Sequence, residues 1–130
     1  MSNIQVKITL LDERLEDGEL QEITENLLQD IKQEIEVESA GLVPVEDLPK
    51  DAKPIGGFLL GMLMAEVNAA NIKFLFRFLS DRLLRLLGLG ETVEMEVTVN
   101  GKTFKGKASS TVELNEVLKL AQKFIEENKE

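Results

Sequence analysis

Residues 54–87 read PIGGFLLGMLMAEVNAANIKFLFRFLSDRLLRLL. This is the most apolar stretch of the chain, and it holds every phenylalanine except Phe104 and Phe124. Gly56 and Gly57 follow Pro54, and no proline interrupts Phe58–Leu87. The pattern predicts one long helix starting near Gly57 or Phe58. Gly57, Gly61, Ala65 and Ala69 recur every four residues, a row of small side chains along such a helix. Asn68 and Asn71 mark a break, which would give two helices, roughly 57–67 and 70–87. The charge-free run, Pro54–Ala65, is shorter than the roughly 20 residues a membrane span needs, and Glu66 and Lys73 follow it. No span is expected.

The second half of this stretch is apolar on most sides. Ile72, Leu75, Phe76, Leu79, Leu83 and Leu86 share a broad face, with Phe74 and Phe78 on its flank. One small domain can hardly cover so much apolar surface on one helix. The excess points to a partner protein or to self-association, most simply a homodimer. The interface residues expected are Phe74, Phe78 and Leu79, with Arg82 and Arg85 at the rim.

Working outward on the N-terminal side, Ile4, Val6, Ile8 and Leu10 alternate with polar residues and predict a strand. Asp17 is placed to cap a helix that buries Leu20, Ile23, Leu27 and Ile31. Ile35, Val37 and Ser39 predict a second strand, parallel to the first through a crossover. Gly41–Pro54 then carries all three prolines and reads as a long loop, with Leu42, Val43, Val45 and Leu48 tucked in.

On the C-terminal side, Gly88 and Gly90 stop the helix. Asn100-Gly101 between two alternating runs is a type I′ hairpin signal. A two-residue turn there sets Val97 opposite Phe104 and Val93 opposite Ala108. On the wet face it sets Thr98 opposite Thr103, Glu96 opposite Lys105 and Glu94 opposite Lys107, each a favourable pair. Ser110 and Glu113 fit a capping box that opens a helix burying Leu114, Val117, Leu118, Ala121, Phe124 and Ile125.

The fold expected is therefore α+β. It is a two-layer sandwich with a mixed four-stranded sheet, in the order β-α-β-α-β-β-α, around a long central apolar helix. At 130 residues the chain is read as a single domain. Its parts are an acidic segment 1–53, a central apolar stretch 54–88, and a hairpin with terminal helix over 92–128.

Composition excludes several chemistries. There is no Cys, His, Tyr or Trp, hence no disulfide, thiolate zinc site, histidine base or Ser-His-Asp arrangement. No cofactor, metal or catalytic residue is expected. The net charge of −9 falls wholly in residues 1–53, while residues 54–130 balance. Such a surface repels phosphate backbones, so no nucleic acid is expected, and it suits either plain solvation or a basic partner. The segment MSNIQVKITL has no basic n-region or apolar h-region, so a cytoplasmic protein is expected.

Two other functions have sequence candidates. A small-ligand binder or enzyme would use the 44–57 loop, with Lys53, Gly56, Gly57, Glu66 and Asn68. A glycine pair before a helix suits anions, although no P-loop ending is present. The blander reading is that Glu66 and Asn68 cap the end of the first helical half and bond loop backbone. A membrane-surface protein would use residues 55–65, against the acidic charge of the remainder.

The words Lys53-Pro54, Gly61, Glu66-Val67-Asn68, Asn71, Asp81-Arg82-Leu83 and Ala108-Ser109-Ser110 carry a family resemblance. In the order helix stretch, hairpin VEMEVTVNGKTFKGKASS, helix ELNEVLKLAQKFI, the chain resembles small cyanobacterial proteins similar to the effector-associated constant components of bacterial conflict systems. Where the wider family often has Trp late in the central helix, this chain has Phe78 or Leu79. The resemblance implies a non-catalytic accessory or adaptor role beside effectors.

Overall fold

A computed structural model describes residues 3–45 and 54–129. Among these residues six strands and three helices follow one another. They are β1 (Asn3–Leu11), α1 (Asp17–Glu34), β2 (Ser39–Pro44), β3 (Pro54–Ile55), β4 (Phe58–Asn68), α2 (Ile72–Gly88), β5 (Thr92–Val99), β6 (Lys102–Ala108) and α3 (Thr111–Asn128). The class is α+β, with one antiparallel sheet in the order β2-β4-β1-β5-β6 and β3 paired to β4.

The main correction concerns residues 58–68, which form the longest strand and not the first half of a helix. Gly56 and Gly57 both take positive φ, 55° and 86°, and Ile55 pairs with Phe58. This is the two-residue hairpin turn that a Gly-Gly pair favours. The strand then runs between β1 and β2, with Ile8 opposite Leu63 and Leu42 also opposite Leu63. Burial alternates without a break from Leu59 through Gly61, Leu63 and Ala65 to Val67. Gly61 and Ala65 thus share a strand face, and the spacing of four has no helical meaning here. The break near Asn68–Asn71 is in the expected place, but it divides a strand from a helix.

β4 also changes the sheet. β1 and β2 run in the same direction, as expected, but β4 lies between them and opposes both. Every neighbouring pair is antiparallel, so the sheet is six-stranded and not a four-stranded mixed one. β2 starts at Ser39, later than expected. Ile35 and Val37 lie half-buried in the connection before it, while Ala40 and Leu42 pair with the inward residues Ala65 and Leu63. The segment 46–53, which carries Leu48 and Lys53, lies outside the described residues.

All three helices lie on one face. Ile4, Val6, Ile8 and Leu10 of β1 and Val93, Met95, Val97 and Val99 of β5 are buried beneath them in a single cluster. α1 reaches β4 at Gly61, whose N–H donates to Gln21 Oε1 at 2.9 Å. A Cβ at Gly61 would stand 2.5 Å from the Leu10 carbonyl oxygen, and its φ is +73°. Gly61 thus has no room for a larger side chain, and a neighbouring strand is the reason. α3 packs on β6, where Val117 closes over Gly106. The two-layer arrangement is as expected.

α2 buries Leu75, Phe76, Leu79 and Leu83 in the common core, with α3 as its neighbour, and turns Lys73, Phe74, Arg77, Asp81 and Arg85 to solvent. It ends in a Schellman turn: Glu91 N–H donates to Leu86 O at 3.2 Å and Gly90 N–H to Leu87 O at 3.0 Å, with Gly90 at φ +96°. The 92–108 hairpin has the expected register at all five pairs, and Asn100 and Gly101 take the positive φ of a type I′ turn. Ser110 caps α3 through Glu113 N–H, and the Glu113 carboxylate accepts from Ser109 N–H at 2.8 Å.

Candidate interaction surfaces

The face of the sheet opposite the helices has a layout fixed by register. One row across it is Gly41, Met64, Lys7, Glu96 and Lys105. The row beside it is Met62, Thr9, Glu94 and Lys107. On β1, β5 and β6 these outward positions are polar, as suits a wetted antiparallel sheet. The Glu96 carboxylate sits between Lys7 Nζ at 3.9 Å and Lys105 Nζ at 3.8 Å. Thr98 and Thr103 hydroxyls meet at 3.1 Å.

β4 departs from this rule. Its outward residues are Phe58, Leu60, Met62 and Met64 before Glu66 and Asn68 finish the strand. Phe58 is 38% exposed, and Leu60, Met62 and Met64 are half-buried. Leu11 of β1 adds 39% exposure on the same face, and Val45, hydrogen-bonded to Gly57 O, is exposed beside Phe58. β4 is therefore apolar on both faces, while among the described residues only one face has a layer of helices.

The expected interface on α2 is largely used inside the chain. Leu79 is fully buried and Phe78 nearly so. Arg82 lies over the Phe78 ring at 4.9 Å and binds Asp30 and Glu34 of α1, each at 2.6 Å. The acidic surface that Arg82 meets is thus the chain's own. Arg85 pairs with Asp81 at 3.6 Å, and Phe74, beside Lys73, remains 45% exposed. Two open grooves flank α2. One, of roughly 690 Å³, runs past Glu34, Phe74 and Arg82. The other, of roughly 820 Å³, lies against α3 between Arg77 and Lys119.

The ligand candidates do not converge. Gly56 and Gly57 form an exposed turn between two strands, so no helix N-terminus follows them. Lys53 lies outside the described residues. Glu66 Oε1 accepts from Asn3 Nδ2 at 2.8 Å on the open face. Asn68 Oδ1 accepts from the N–H groups of Ala70 and Asn71 at 3.0 and 3.1 Å, which is the blander capping role. Gly56, Gly57, Glu66 and Asn68 line neither α2 groove nor the shallow depression over Lys7 and Glu94. Among the described residues no group of three or more acidic side chains is arranged to hold a metal ion.

A corner that the sequence did not single out joins the end of β1 to the start of β5. Arg14 donates to both Asp12 carboxylate oxygens, at 3.0 and 2.9 Å, and to the Leu89 carbonyl. Those hydrogen bonds hold the Asp12 carboxyl below its ordinary range. Glu91 beside them is 2% exposed, and its Oε2 has no hydrogen-bond partner among the described residues. Burial first, then the Asp12 charge, push its carboxyl above the ordinary range, against a smaller pull from Arg14. The signal available was one acidic residue placed directly after a helix-stopping glycine and before an alternating strand.

No helix is long and apolar enough to cross a membrane among the described residues. No family model, no curated protein and no solved structure matches the chain.

Proposed function

We propose that this protein is a non-catalytic interaction module, an accessory component acting beside an effector, and that β4 is central to its binding surface. The observation that carries the reading is the outward row Phe58, Leu60, Met62, Met64 on a sheet face that no helix among the described residues covers. Leaving such side chains wet costs about 1.5–3 kcal/mol each relative to full burial. A contiguous apolar patch rimmed by charge is the usual mark of a protein interface. The two methionines add adaptable side chains that can fit a partner's contour.

The enzymatic alternative draws no support from geometry, because Glu66 and Asn68 are each engaged locally at the end of β4. The dimer through α2 that the helical reading suggested loses its premise, since Leu75, Phe76, Leu79 and Leu83 are buried within one chain. The resemblance to effector-associated proteins supplies the kind of partner.

Co-purification tests the reading. The chain, expressed with whatever proteins its neighbouring genes encode, should retain one of them specifically or assemble with itself. Leu60→Glu should abolish that association without unfolding the protein. A Leu60→Glu chain that binds everything the parent binds would refute the role of β4.

A further inference from the structure

We propose that the open face of β4 is covered by a second copy of the chain, the two sheets packing face to face about a two-fold axis. The inference rests on reading that face as an interaction surface, and it commits to what covers it.

Charge selects the occupant. The chain carries −9, and α1 alone holds six acidic residues against one basic. Two copies meeting through α1 would repel. The open face of the sheet is different. Lys7, Lys105 and Lys107 stand there beside Glu66, Glu94 and Glu96, three charges of each sign. A strongly charged partner gains nothing from such a surface. A second copy meets it without net repulsion, and a two-fold axis allows lysines of one copy to face glutamates of the other. Face-to-face packing also places the two acidic α1 helices on opposite outer sides of the pair.

Shape agrees. Sheets pack about 10 Å apart with inner side chains interdigitating. Gly41 lies directly across from Met64, and a Cβ placed there would have nothing within 4 Å. The hollow beside Met64 can take a methionine or leucine from the other copy. Phe58, Leu60, Met62 and Met64 with Leu11 would form the apolar centre, and the Lys–Glu ladder the polar rim. The pair would present two identical helical layers, each with its α2 grooves, and so could hold a further partner bivalently.

Sedimentation equilibrium of the full chain tests this. At about 100 µM, well above a micromolar Kd, the parent should sediment at twice 14.5 kDa. Met64→Glu should weaken the pair by about tenfold or more. Phe74→Glu, on exposed α2, should leave it intact. Should Met64→Glu fail to fold, peroxide oxidation of the parent replaces it. Met62 and Met64 must then oxidise more slowly at about 100 µM than at about 1 µM, on either side of a Kd in that range. A 14.5 kDa species at the higher concentration overturns the proposal. So does a Met64→Glu Kd equal to that of the parent, or oxidation independent of concentration. A monomeric parent that retains an encoded effector, and loses it with Met64→Glu, overturns the second copy but keeps the interaction module. A monomer that retains nothing overturns both.

Discussion

Residues 58–68 and 72–88 are neighbours of similar apolarity, yet one is a strand and the other a helix. The helix half has one apolar side and one polar side, so the chain's own sheet and flanking helices satisfy it. The strand half is apolar at both parities over Phe58–Ala65, so a single layer of helices satisfies only half of it. In the helix, local signals and final structure agree: Asn71 precedes it, Gly90 ends it, and its buried residues recur at three and four. In the strand, Leu, Met, Ala and Glu favour helix. Pairing with β1 and β2 overrides that preference, and leaves an apolar row as a consequence. The difference teaches that excess apolar surface in a sequence locates an interface only after the secondary structure is settled.

The largest effect should come from testing the alternation of β4 itself. Leu63→Lys puts an unpaired charge in the core and should cost more than about 4 kcal/mol, enough to unfold the domain. Met64→Lys, one residue on, should change the stability of dilute protein by less than about 0.5 kcal/mol. Urea denaturation of both separates a strand from a helix, because equal losses would remove the two-faced reading.

Next is Gly61→Leu, which brings a side chain against the Leu10 carbonyl at a positive φ. Overpacking and backbone strain together should cost about 3 kcal/mol or more. A protein of unchanged denaturation midpoint would mean that β4 does not approach β1 this closely.

On the helix half, Leu79→Ala should cost about 2–5 kcal/mol as a cavity in the core. Phe74→Ala, on the exposed side, should cost less than about 0.5 kcal/mol. Comparable losses at the two positions would show that α2 is covered on both sides.

The smallest effect is expected at Glu91, just past the end of α2. Its folded-state pKa is raised, so folding favours its protonated form. Its contribution is most favourable at low pH and is lost as pH rises through the folded value. Asp12, with a lowered pKa, acts in the opposite sense: its contribution is present above its unfolded pKa and lost as pH falls through the folded value. Glu91→Gln should therefore stabilise the protein by about 1 kcal/mol at pH 7, and the gain should shrink toward pH 4. A gain that is flat with pH would show Glu91 ionised alike in folded and unfolded chains.

The sequence by itself determined the elements whose instructions are local. β1 and β5 announce themselves by alternation, the 92–108 register follows from the Asn100-Gly101 turn, and α3 from Ser110, Glu113 and its apolar spacing. That Asn68 bonds nearby backbone was legible as well, but the helix end that it and Glu66 were expected to cap is a turn after a strand, and Glu66 bonds the Asn3 side chain instead. Tertiary structure alone decided β4. An eleven-residue run apolar at nearly every position has the same pattern at a period of 2 as at 3.6, and only the Gly56-Gly57 turn hinted otherwise. Its state is set by hydrogen bonds to β1 and β2, about sixty and twenty residues away along the chain, in line with the register pairs. The Asp12–Arg14–Glu91 corner and the Arg82 bridge to α1 are likewise tertiary. Charges distant in sequence meet there because the sheet order brings their elements together.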